Sequence, residues 1–281
     1  MRDPSFPNWK HILAFIGIYF GGSVLGSLPA VAIAIVKFGT EFTQSEFQAE
    51  LGPTAPIAMG LPLVLCILYG WYKLGKPKWT LGFENVALTP GLLAVIGTLL
   101  VANGVTMIAE YLPYYDSFVE MMKEAMVPSI GMAIAVILVA PIFEEALLRG
   151  VILRGFLRKL SPTWAIVISG LIFGVMHLHP VHIFFASIVG FALGYVYYRT
   201  RSLGLVILIH FINNGVSYYL GGQELPDSSE ELLDMGMMGV FSTAAGLTAL
   251  GVLALWYLGN NYPLAPAPLE DEPVQEIALA D

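Results

Sequence analysis

The chain has 281 residues, of which 57% are hydrophobic and only 12% charged, with a mean hydropathy of +0.73. This balance lies far outside that of a soluble globular domain, and apolar runs long enough to cross a roughly 30 Å hydrocarbon core recur along most of it. The net charge of −8 gives no footing for nucleic-acid binding, and the single cysteine, Cys66, excludes an intrachain disulfide and a thiolate metal cluster.

Lipid offers no partner for exposed backbone N–H and C=O groups, so the spans are expected to be helices and the fold class all-α. The prediction is a polytopic bundle of about eight spans with a polar intramembrane cavity. In chain order the spans cover 12–36, 55–72, 91–112, 130–157, 164–178, 181–198, 203–220 and 237–258. The first follows Arg2 and Lys10 but is too long for the apolar core of a signal peptide, and is read as a retained span. Residues 1–259 then form a single transmembrane domain with a motif-bearing core over 130–220. Residues 260–281, rich in Pro, Ala and acids, are expected to be a disordered acidic cytoplasmic tail.

Charge placement supports the count, because Lys and Arg favour the cytoplasmic side. With both termini cytoplasmic, the inner segments hold Arg2, Lys10, Lys73, Lys76, Lys78, Arg149, Arg154, Arg158, Lys159, Arg199 and Arg201, eleven of the 13 basic residues. Only Lys37 and Lys123 fall outside, where Glu41, Glu46, Asp116, Glu120, Glu230 and other acids gather. The membrane is the cell membrane if the chain is prokaryotic.

Strongly polar side chains at membrane depth cost about 2.5–3.5 kcal/mol each on insertion scales, so each needs a reason. They concentrate in three spans: Glu144, Glu145 and Arg149 in the fourth, His177 at the end of the fifth, and His210, Asn213 and Asn214 in the seventh. Glu145 and Arg149 stand four apart with the acid first, the favourable order for an intrahelical ion pair. Glu144 points about 100° away and is left as the free carboxylate. Pro141 cannot donate to the carbonyl of Ile137, which bends the helix beside the acids. At 1.5 Å per residue, Glu144 and His177 both lie roughly 20 Å above the inner surface, and His210 and Asn214 roughly 10 and 17 Å, so the groups share a layer. His179 and His182 flank Pro180 in a short outer turn and are read as solvated.

Two chemistries suit this set. Glu144 as base, assisted by His177, with His210 and Asn214 stabilising an oxyanion, would hydrolyse an amide without a covalent intermediate. Alternatively Glu144, His177 and His210 would hold zinc with an open position for water. Spacing leaves both open. Because His210 and Asn214 are one turn apart, an oxyanion pair is favoured over a metal ligand and its neighbour, and no cofactor is expected, with zinc as the alternative.

Glu144-Glu145-Ala-Leu-Leu-Arg149, then Phe173-Gly-Val-Met-His177, then His210-Phe-Ile-Asn-Asn214 resemble the three motifs of the type II CAAX prenyl endopeptidase family. That family comprises the Ras-converting endopeptidase and bacterial bacteriocin-processing and self-immunity relatives. The resemblance implies a multi-helix core enclosing a water-filled cavity and cleavage of a peptide bond in a prenylated or other membrane-anchored protein. It places Glu144 as water activator, with His177, His210 and Asn214 as its partners and Glu145, Arg149 and Phe173 as supporting positions. The competing readings are a non-catalytic immunity or scaffold protein of the same fold and a proton-coupled transporter.

Overall fold

The computed structural model describes residues 3–125, 129–223 and 228–266. Most of the expected tail, 267–281, lies outside the described residues. Every regular element among them is helical: α1 (Trp9–Phe38), α2 (Gln44–Lys73), α3 (Leu88–Ala109), α4 (Tyr115–Ala125), α5 (Ile130–Leu157), α6 (Pro162–Val175), α7 (Pro180–Thr200), α8 (Leu203–Gly221), α9 (Ser229–Leu232) and α10 (Met237–Asn261). A single 3-10 turn, Phe83–Asn85, interrupts the loop before α3. Seven of these helices are long and apolar enough to cross a membrane. The chain is an integral membrane protein with a helical-bundle fold.

Two boundaries differ from those expected, each for a local reason. Helix α2 begins near residue 44 rather than 55 because Thr43 and Glu46 form a capping box, with Thr43 N–H donating to Glu46 Oε2 at 2.7 Å and Glu46 N–H to Thr43 Oγ1 at 3.3 Å. Helix α6 is shorter than expected, at 14 residues, or roughly 21 Å. Pro180 explains the early stop: it drives His179 into extended backbone at φ −84°, ψ 132°, and Leu178 takes a left-handed φ of 64°. The turn at 176–179 thus sits at the top of a tight α6–α7 hairpin.

Contacts between helix ends sort the bundle into two faces. At one, Lys73 Nζ meets Asp3 Oδ2 at 3.3 Å, Lys159 Nζ donates to the Pro7 carbonyl at 3.4 Å, and Ser202 Oγ donates to the Leu81 carbonyl at 3.1 Å. At the other, Lys37 pairs with Glu50 at 2.8 Å, Ser229 Oγ donates to Glu110 at 2.6 Å, and Tyr111 OH donates to Glu230 at 2.8 Å. Short α6 joins the two faces as an eighth crossing. The first face carries most of the basic residues and the second most of the acids, with Lys37 among the latter; Arg149, counted with the inner charges, is fully buried in the bundle, as a shared depth for Glu144 and His177 requires.

Small residues set the helix spacing. A Cβ on Gly22 would stand 2.6 Å from Pro62 Cα, and one on Gly190 3.0 Å from Gly170 Cα, so α1–α2 and α6–α7 pack backbone to backbone. Gly17 and Gly21 have open space around them and take no part in this packing.

Candidate active site

Helix α5 is the central element. From Glu145 to Gly155 every residue is buried, whereas the half between Ile130 and Glu144 alternates between buried and exposed positions. Two π-helical segments, Ala135–Val139 and Leu148–Leu153, bracket the α-helical stretch Ala140–Leu147 that holds both glutamates. Pro141 accounts for the first segment. With no N–H on Pro141 and its ring crowding the preceding turn, the ladder slips, and the Ala140 N–H bonds to the Ala135 carbonyl five residues back. The widened turn turns a carbonyl sideways, and the Val136 oxygen accepts from Asn214 Nδ2 of α8 at 3.1 Å.

Glu145 is the hub of the site. Its Oε1 accepts from Arg149 Nη1 at 2.9 Å and from His210 Nδ1 at 2.9 Å, and both Glu145 and Arg149 have 0% exposure. Arg149 Nη2 donates to the Gly190 carbonyl at 2.9 Å, tying α5 to α7. The intrahelical pair expected from spacing is therefore present, but it is also a three-helix junction. Such a pair, removed from water, stabilises the fold mainly by what breaking it would cost, about 3–5 kcal/mol.

His210 Nδ1 donates to a carboxylate, which fixes its tautomer and turns Nε2 toward Glu144 Oε2, 3.9 Å away. Among the described residues the Glu144 carboxylate accepts no hydrogen bond, and 15% of the side chain is exposed. His177 is held by a backbone partner instead: its Nδ1 lies 2.9 Å from the Phe173 carbonyl, and among the described residues Nε2 makes no hydrogen bond. Phe173 connects the parts. Its ring meets His177 edge-on at 5.0 Å and His210 edge-on at 5.6 Å, and the Arg149 guanidinium lies 5.1 Å from its centroid. Contacts thus link Glu144, Glu145, Arg149, Phe173, His177 and His210 in one chain, whereas Asn214, one turn along α8 from His210, meets α5 at the Val136 carbonyl. Among the described residues no hydrogen bond links His177 to Glu144, and the two meet only through the groups around Phe173.

Three features lay outside the sequence reading. The Glu145–His210 bond joins residues 65 apart in sequence, which no local spacing reveals. The Val136 carbonyl, rather than that of Ile137, takes the polar partner beside Pro141. His182 is a half-buried residue in the first turn of α7, not a solvated one, with its ring 4.0 Å from that of His177 and stacked at 4.7 Å on Phe185. The signal for it was its position, since five residues across a Pro-initiated turn returns a side chain to the helix it left.

Glu144, His177 and His210 are the donors that zinc would take. Among the described residues, however, no group of three His, Cys, Asp or Glu side chains lies close enough to hold one ion. As placed, these residues do not form a three-ligand zinc site.

Residues 126–216 match the family model described as type II CAAX prenyl endopeptidase Rce1-like. The chain is also similar to the Bacillus subtilis (strain 168) protein named "Putative membrane peptidase YdiL", at 31% identity over 77 residues. That alignment covers 27% of this chain and 32% of the relative, so the chain spans about a third of the curated protein it matches. No solved structure matches significantly.

Proposed function

We propose that the chain is an intramembrane endopeptidase that uses Glu144 to activate water against a peptide bond of a CAAX-type prenylated, otherwise lipid-anchored, or membrane-embedded substrate. The observation that carries this reading is the contrast between the two glutamates. Glu145 is sealed and doubly bonded, whereas Glu144 stands beside it partly exposed, with His210 Nε2 as its nearest ionic neighbour. A scaffold would need the first arrangement but not the second. The match of residues 126–216 to the Rce1-like family model also supports a peptidase.

In this reading Glu144 takes a proton from water as the oxygen bonds to the scissile carbonyl carbon. The negative charge that develops on the carbonyl oxygen is met by the second Nδ2 hydrogen of Asn214, the first being held on Val136, and by His210 Nε2 when it carries a proton. The proton taken by Glu144 is relayed through Nε2 of His177, whose Nδ1 is held on the Phe173 carbonyl, to the departing amine as the C–N bond breaks, which restores the Glu144 carboxylate. Buried dipoles fixed by Glu145 and Val136 do not have to reorganise, which is where such a site gains over water. No step passes through a metal. Both termini are cytoplasmic in this reading, following the basic residues at the Lys73 and Lys159 face.

The test is cleavage of a membrane-anchored peptide library by purified protein against Glu144→Gln. Products from the wild type alone are expected; tight peptide capture with no cleavage by either protein would replace the peptidase with a binder.

A further inference from the structure

We infer that His182 is a positioning residue for the proposed cleavage: packed ring to ring on His177, it sets the direction in which His177 Nε2 points, and it does so by the shape of its ring rather than through its nitrogens. The role depends on the peptidase reading, whereas the contact itself does not.

His177 stands where a helix no longer holds its side chains. Helix α6 ends at Val175, and the His177 N–H turns to the Gly174 carbonyl at 3.0 Å, three residues back. The Phe173 carbonyl is thereby left to His177 Nδ1, at 2.9 Å. One hydrogen bond is comparable in size with the entropy lost in ordering the side chain that makes it, and it leaves the ring plane able to tilt about Nδ1. Proton transfer through Nε2 requires that tilt to be fixed.

Two rings supply the constraint. Phe173 meets the His177 imidazole edge-on, with centroids 5.0 Å apart and planes at 89°, and His182 lies 4.0 Å away at 51°. The His182 contact is the closer of the two, and it is backed from behind. Phe185, three residues along α7, stacks on His182 at 4.7 Å and 27°; Phe118 of α4 meets it edge-on at 5.3 Å and 64°; and the two phenylalanines touch at 5.7 Å. Among the described residues neither nitrogen of His182 makes a hydrogen bond, whereas neighbouring His179 places Nε2 3.2 Å from Ser117 Oγ. His182 therefore contributes a flat face and not a donor, and a phenylalanine would present the same face.

The hairpin itself does not rely on this ring. A Cβ on Gly190 would stand 3.0 Å from Gly170 Cα, one on Gly174 would stand 2.7 Å from the Ile183 carbonyl, and the Ile183 N–H donates to the His179 carbonyl at 2.8 Å. Backbone contact thus fixes α6 against α7, and removing the His182 ring should free the His177 imidazole without moving the helices.

The experiment compares purified wild type, His182→Ala and His182→Phe in detergent, by cleavage of the membrane-anchored peptide library and by NMR of protein carrying 13C-labelled histidine. The chain has five histidines, and the His177 signal is assigned by its loss in His177→Phe. His182→Ala is expected to lower kcat by about 10- to 100-fold, with KM and melting temperature near those of wild type, and to broaden the His177 imidazole signal. His182→Phe is expected to recover most of kcat and the wild-type signal. If His182→Ala unfolds, His182→Leu takes its place, filling the space without a flat face. Wild-type kcat in the ring-free variant, an unchanged His177 signal, or a rise in KM at constant kcat overturns the proposal. An equal loss in His182→Phe also overturns it, because the nitrogens would then carry the role. If wild type cleaves no peptide while the His177 signal broadens without the ring and recovers with phenylalanine, the peptidase reading falls and the ring contact stands.

Discussion

Glu145 and His210, 65 residues apart in sequence, share a 2.9 Å hydrogen bond inside the bundle, and the same carboxylate oxygen holds Arg149. One buried acid therefore orients an imidazole and neutralises a guanidinium, so its two neighbours should respond differently from Glu144 when changed. Glu145→Gln and Arg149→Ala each leave a buried charge without its partner and should lower stability by about 3–5 kcal/mol. Glu144→Gln should leave thermal unfolding in detergent close to wild type while reducing kcat by about 10²–10⁴-fold, the range for a lost general base. Equal melting temperatures for all three variants, with equal loss of activity, would contradict this division.

Asn214 spends one N–H on the Val136 carbonyl and keeps one. Asn214→Ala should reduce kcat by about 10²–10³-fold with KM nearly unchanged, as expected for a donor that acts only when the oxyanion forms. A rise in KM at constant kcat would make it a substrate-binding residue instead.

The α6–α7 hairpin positions His177 through close backbone contact. A Cβ on Gly174 would stand 2.7 Å from the Ile183 carbonyl and overlap Ser187 Oγ. Gly174→Ala should push α6 from α7, displace His177 less than one turn away, and abolish turnover, whereas Gly21→Ala, in open space, should be neutral. Unfolding temperature and activity of the two variants, measured side by side, check this.

At the basic face, hydrogen bonds from Ser5 and the charges of Lys73 and His11 hold the Asp3 carboxyl well below the usual carboxylate range. A depressed carboxyl stabilises the fold above its unfolded value, about 3.9, and that contribution fades as pH falls toward the depressed value. The melting temperature of wild type should therefore exceed that of Asp3→Asn by a constant amount near neutrality and converge on it in acid below about pH 4. A gap that instead widens with acidification would show that Asp3 is not stabilised as an anion.

Metal dependence follows from placement of the donors. Because Glu144, His177 and His210 do not gather around one point, chelator-stripped protein should retain most of its activity, and elemental analysis should find well under one zinc per chain. Activity lost on stripping and restored by stoichiometric zinc would reassign the two histidines as ligands.

The class of protein was determined by the sequence alone, because a bilayer permits few solutions: runs of apolar residues must be helices, and polar residues left inside them must have partners. The same rule exposed Glu144, His177, His210 and Asn214, and helical spacing alone paired Glu145 with Arg149. What the sequence could not supply was which partner each polar group takes across helices, since that depends on side-by-side packing and not on distance along the chain. Tertiary structure decided that His210 belongs to Glu145, that Asn214 reaches the carbonyl freed beside Pro141, and that His182 returns to stand against His177. The burial of Arg149 already followed from a shared depth for Glu144 and His177, but its second partner, the Gly190 carbonyl of α7, is one that only the packing of the helices could supply.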